Sequence, residues 1–129
     1  MIVLDASLAL EVFAKTPRGE RLAGHVFTEQ LHAPHLLDLE VAQVLRRLVV
    51  ADVLEARAAE AALERLQNWE IERHDHTSML PRIWELRNSL SAYDASYIAL
   101  AEVLDVSLLT CDGKLGRSHG HRANIVLLS

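Results

Sequence analysis

The chain has 129 residues, half of them hydrophobic, which is enough for one domain (1–129) with a real core and no disulfide or metal staple. Its single cysteine, Cys111, excludes an internal disulfide and fits a reducing, cytoplasmic setting. The formal net charge of −5 argues against broad, charge-driven binding to nucleic acid, although cations held among acids can reverse a local field.

"MIVLD" reads as a short buried strand running into Asp5. No basic segment precedes a long apolar stretch, so no signal peptide is expected, and no apolar run approaches the roughly 18 residues of a membrane span. "SLALEVFAKT" has helical spacing and stops before Pro17. "PRGERLAGHVFTEQ" predicts a second helix with its proline in the first turn. After the break at Pro34 comes the clearest helix, "HAPHLLDLEVAQVLRRLVVADV", with Leu37, Val41, Val44, Leu45 and Leu48 in one apolar stripe. "EARAAEAALERLQNW" is an amphipathic helix and "EIER" a weak strand. "TSMLPRIWELRNSL" and "SAYDASYIALAEVLD" predict two more helices, "VSLLT" a strand, "DGKLGRS" a turn with a short helix, and "NIVLL" a final strand. Strands separated by helices imply a three-layer α/β/α domain around a mainly parallel sheet of about four to five strands.

Four acids stand out against this outline. Asp5 and Asp112 each follow a predicted strand, at the edge where open parallel sheets bind ligands. Each is equally suited to be a helix cap or turn residue. Glu40 lies on the shoulder of the apolar stripe, where a carboxylate needs a partner, a metal or solvent; a pair with Arg47 would serve. Asp94 follows Ser91 by three residues, a capping-box spacing, yet shares its helix face with Ile98 and Ala101. Four carboxylates brought together would repel unless cations sat among them, and an all-oxygen site suits Mg²⁺ or Mn²⁺. Ser7 and Thr110 add hydroxyls beside the strand-end acids.

These segments also resemble a known family. "IVLDAS", "LLDLEVAQVLRR", "RIWELRNSLSAYDASYIALAE" and "LLTCDGKL" are similar, in order and spacing, to the motifs of PIN-domain ribonucleases, and most closely to VapC toxins of bacterial VapBC toxin–antitoxin pairs. The resemblance covers the chain from end to end. It implies that Asp5, Glu40, Asp94 and Asp112 form the family's acidic quartet, supported by Ser7 and Thr110. It further implies endoribonuclease activity that uses Mg²⁺ or Mn²⁺, with Asp5, Asp94 and Asp112 as ligands and Glu40 as a ligand or a base. "GKLGRSHGHR" carries no acid, so a fifth acid is not expected there. The expected partners are RNA, a VapB-like antitoxin whose helix lies in apolar grooves, and a second copy of the chain, the dimer being built from helices of the N-terminal half. Candidate RNA contacts are Arg46, Arg47, Arg82, Arg87, Lys114, Arg117 and Arg122; each would otherwise be a solvated surface cation.

Other readings use fewer of these residues. A phosphatase with an Asp5 nucleophile would want a second acid at position 7, where this chain has serine, and a response-regulator receiver would want an acidic pair near the first strand. A binding module that keeps the fold without cleavage remains an alternative. His74–Asp75–His76 and His119–Gly120–His121 lack helical metal spacing and a matching cysteine cluster, so they read as loop or surface histidines. Trp69 and Trp84 are expected in the core or at an interface.

Overall fold

A computed structural model describes residues 1–129. The chain order is β1 (Ile2–Leu4), α1 (Ala6–Phe13), α2 (Pro17–Val26), β2 (Leu31–Pro34), α3 (Leu36–Val50), α4 (Ala56–Asn68) and β3 (Ile71–His74). A 3₁₀ turn (Thr77–Met79) then leads into α5 (Leu80–Glu85), α6 (Ala92–Leu104), β4 (Ser107–Thr110), α7 (Gly113–Gly116) and β5 (Ile125–Leu127). The five strands form one parallel sheet in the order β3-β2-β1-β4-β5. Helices α1 to α4 pack on one another, while α6 packs with α5 and against β1, β2 and β4. This is the expected three-layer α/β architecture.

The sequence expectation missed β2. "LHAP" has no β-branched residue and ends in proline, so its propensity for a strand is low. Tertiary context overrides that weakness. The strand is buried at all four positions and pairs with β1 on one side and β3 on the other. The predicted helix 77–90 is also shorter than expected: regular α structure ends at Glu85, and residues 86–90 turn toward α6.

The strand order explains where a site can form. The chain leaves β1 for β2 and β3 on one side, then crosses to β4 and β5 on the other. The reversal leaves a crevice beyond the carboxyl ends of β1 and β4, the place where open parallel sheets bind ligands. Helix α6 closes against it, buried from Ala95 to Ala101. Asp105 ends α6 in the left-handed conformation, which aspartate tolerates better than most residues, and the chain turns there into β4.

Helices α1 and α2 meet at Gly19, where an added Cβ would lie 1.8 Å from the Glu11 carbonyl oxygen. Gly19→Ala is expected to cost about 1–3 kcal/mol by overpacking. Gly24, on the same helix, faces open space, and Gly24→Ala should stabilise by about 0.5–1 kcal/mol through helix propensity. Urea midpoints of the two variants should therefore move in opposite directions from the parent.

Candidate active site

Asp5 is buried, with 5% of its surface exposed, directly beyond β1. Its side chain caps α1 by accepting from the Leu8 N–H at 3.0 Å. It also accepts from the Ser7 hydroxyl at 2.7 Å and from the Thr110 hydroxyl. The capping and site readings of Asp5 are thus compatible: one oxygen takes Ser7 and Leu8, the other takes Thr110, and lone-pair capacity is left over. The same two hydroxyls accept from the backbone beyond β4, Ser7 Oγ from Cys111 N–H at 3.0 Å and Thr110 Oγ1 from Asp112 N–H at 2.9 Å. Asp112 in turn caps α7 through the Lys114 N–H at 2.9 Å.

Glu40 sits half-buried on α3, and no ion pair forms between it and Arg47. Its partner is Tyr97, a residue that sequence reasoning passed over, whose hydroxyl donates to Oε1 at 2.6 Å. Tyr97 is 1% exposed on α6, one turn beyond Asp94. The available signal was spacing: residues three apart on a helix share a face. Ser91 caps α6 by accepting from the Asp94 N–H at 3.1 Å, as the capping-box spacing implies, while the Asp94 carboxylate is near enough to Asp112 and Glu40 for their charges to act on one another.

Electrostatics join the four. Burial raises the Asp5 carboxyl above its ordinary range, the three hydrogen bonds oppose that rise, and the Asp112 charge adds to it. Burial also raises Glu40, with Tyr97 opposing and the charges of Asp94 and Asp5 adding. Asp94 is raised by burial and by Asp112, against a lowering by Lys114. The Tyr97 hydroxyl is pushed far up by burial and by its bond to Glu40, so it remains a donor. Four carboxylates from β1, α3, α6 and the β4–α7 junction therefore share one neighbourhood in which Lys114 is the cation acting on Asp94. Such an all-oxygen, anionic set fits a hard divalent cation, whose charge would offset the burial and, after it, the like charge that raise Asp5, Glu40 and Asp94.

The basic candidates divide. Arg46, Arg47, Lys114, Arg117 and Arg122 are exposed. Arg82 instead grips the Glu102 side chain with both ends of its guanidinium, at 2.8 and 3.0 Å, a bidentate pair that fixes α5 to α6. Arg87 lies 4.9 Å over the Trp84 ring and donates to the Trp84 carbonyl. Trp84 is itself exposed, and Trp69 stacks beside Phe27 at the rim of a cleft. His76 and His119 are exposed as expected, but His74 lies on β3 and meets His32.

Residues 2–118 match the PIN domain family. The chain belongs to the PIN-domain family. The PIN domain is 44% identical over 115 residues to the VapC ribonuclease Mb0985 of Mycobacterium bovis, covering 89% of this chain and 88% of the relative. It is 37% identical over 129 residues to ribonuclease VapC12 of Mycobacterium tuberculosis, covering all of both chains. Among solved structures, PAE2754 from Pyrobaculum aerophilum superposes with a TM-score of 0.69 at 27% identity, over 97% of this chain and 83% of that one. The family resemblance seen in the sequence motifs is thereby borne out.

Asp94 gives the PIN domain a pH signature. Its folded-state pKa is raised, so the ionised form disfavours folding at neutral pH, and this effect vanishes once acid protonates the group in both states. In chelator-treated protein, Asp94→Asn should raise the urea midpoint at pH 7 and leave it unchanged at about pH 3, below the ordinary carboxyl value. A midpoint at or below the parent's at pH 7 would contradict the assignment.

Proposed function

We propose that residues 1–129 form one PIN domain acting as the toxin of a type II toxin–antitoxin pair, a divalent-metal-dependent endoribonuclease that cleaves RNA in the cytoplasm and stops growth. The observation that carries this reading is the meeting of three partly or fully buried acids, Asp5, Glu40 and Asp94, with the charge of Asp112 in a chain whose VapC relatives are named ribonucleases. No helix of the chain is long and apolar enough to cross a membrane, which accords with that setting.

Asp5, Asp94 and Asp112 would hold Mg²⁺ or Mn²⁺, with Glu40 close enough in charge to contribute. When bound, such an ion lowers the pKa of water and offsets charge on the phosphate during in-line displacement. The chain's own residues do the positioning. Ser7 and Thr110 fix the Asp5 carboxylate, and its lone-pair capacity is not exhausted by them and Leu8. Tyr97 holds Glu40 through one oxygen and leaves the other free to orient a water and accept its proton. Lys114, beside Asp94, offers a cation to the scissile phosphate, and Arg46, Arg47 and Arg117 extend positive charge along the strand. Arg82 is committed to Glu102 and is left out of that surface, whereas Arg87 is exposed beside Trp84. The basic residues are not interleaved with aromatics, so the grip is on backbone more than on bases.

The antitoxin's helix would lie in a cleft of about 410 Å³ lined by Val12, Phe13, Phe27, Ala61 and Trp69. Its tail would bring a basic residue to the acids and stand in for the ion's charge. A second copy would cover the exposed Leu39, Leu80, Trp84 and Tyr93, a face made by α3 with α5 and α6 in place of the N-terminal-half helices alone that the resemblance implies.

Purified protein should cleave single-stranded RNA with added Mg²⁺ or Mn²⁺ and stop on chelation. Asp5→Asn and Asp94→Asn should each lower the rate by about 100-fold or more, and Tyr97→Phe by less. Cleavage that survives chelator or Asp5→Asn would overturn the metal-nuclease reading, and no cleavage under any condition would favour a binding module. Co-expression with the adjacent small reading frame should relieve growth arrest and yield a complex on gel filtration. Trp69→Glu should abolish that complex while sparing cleavage.

A further inference from the structure

A second set of donor atoms lies on β2 and β3, apart from the acidic crevice. The parallel register pairs His32 with Glu72 and Pro34 with His74. Side chains alternate along a strand, so His32, Glu72 and His74 all emerge on one face. His32 Nδ1 is 2.9 Å from His74 Nε2 and 3.6 Å from Glu72 Oε2, and one ligand atom from each residue lies within 4.8 Å of the other two. The charged groups acting on His32 are Glu72, His74 and the chain's N-terminus; none of the four acids is among them.

We propose that His32, Glu72 and His74 form a binding site for a zinc-class divalent cation that clamps the edge strand β3 to β2. Two imidazoles, a carboxylate and a water are the donor set of an open tetrahedral zinc site. His32 is 4% exposed, whereas Glu72 is exposed, so one ligand is anchored and the site opens to solvent. A cleft of about 380 Å³ lined by Glu29, His32, Trp69, Glu70 and Glu72 gives entry and carries negative charge. Burial also disfavours the protonated His32 ring, which keeps it in the form that ligates metal. Without an ion, one imidazole N–H donates to the other ring. With an ion, both rings turn lone pairs inward, and the nitrogens need part only to about 3.3 Å, set by Zn–N distances of about 2.0–2.1 Å. The consequence is mechanical. Edge strand β3 has β2 as its one sheet neighbour, and the His74 carbonyl accepts from His35 N–H at 3.1 Å, at the foot of α3. A clamp here steadies the helix that carries Glu40.

The test is calorimetric titration of the metal-stripped full chain with zinc chloride, with cobalt(II) absorbance reporting ligand geometry. With excess Mg²⁺ present to occupy the acidic crevice, one zinc ion should bind the His32–Glu72–His74 site in the parent and in Asp5→Asn alike and raise the thermal midpoint, and cobalt should give the intense visible bands of a tetrahedral site. His74→Ala should abolish binding, and Glu72→Gln should weaken it by more than the roughly tenfold that even an outer-shell partner is worth. Glu72 is exposed, so Glu72→Gln decides the matter if His74→Ala does not fold. Absence of zinc binding by the parent would overturn the site. Binding unchanged in Glu72→Gln, or lost in Asp5→Asn, would do the same. Because the site does not use the acidic crevice, its failure leaves the nuclease reading untouched.

Discussion

Two hydroxyls, Ser7 and Thr110, hold the crevice together. Each gives its proton to Asp5 and takes a backbone N–H from the segment that carries Asp112. They are 103 residues apart in the chain and are brought together by the pairing of β1 with β4. The position of one acid is thereby tied to that of another through hydrogen bonds of two short side chains, shielded in whole or in part from solvent. A carboxylate fixed in this way has little entropy left to lose when a ligand arrives. Much of the fold can be understood as support for that joint. The apolar β1 makes it rigid, the reversal of strand order opens the space above it, and α6 walls that space with a buried run that includes Tyr97.

The joint works against an unfavourable charge arrangement. Burial and like charge both resist ionisation of Asp5, Glu40 and Asp94. Such groupings persist only where the surrounding structure supplies stability, and they mark functional sites more often than structural ones. Compensation here is local and distant. Tyr97 and the two hydroxyls stabilise the ionised forms at hydrogen-bond range. Farther out, the Arg82–Glu102 pair, with the Glu102 side chain 3% exposed, and the Arg73–Asp38 pair lock helices to their neighbours.

Much of this was legible in the sequence. Asp5 and Asp112 stood at the ends of apolar runs, and both cap the helices that follow, a role that leaves their remaining lone pairs available for the proposed site. Asp94 was legible through its face. What could not be read were relations across the fold. Tyr97 is 57 residues from Glu40, and no local pattern links them. Arg82 looked like any surface cation until Glu102 came within reach of it. Strand β2 was hidden because its place between β1 and β3, and not its own propensity, makes it extended. His74 fell into a supposed loop for the same reason, since without β2 there was no His32 beside it.

Cys111 lies between Thr110 and Asp112, at the centre of the joint. Burial pushes its thiol up, against the pull of Arg18, whose guanidinium donates to the Cys111 carbonyl at 3.4 Å and the Leu128 carbonyl at 3.2 Å. Cys111 is held at its N–H by Ser7 and at its carbonyl by Arg18, so the short stretch between Thr110 and Asp112 is pinned from two directions and Asp112 has little freedom to drift away from Asp5.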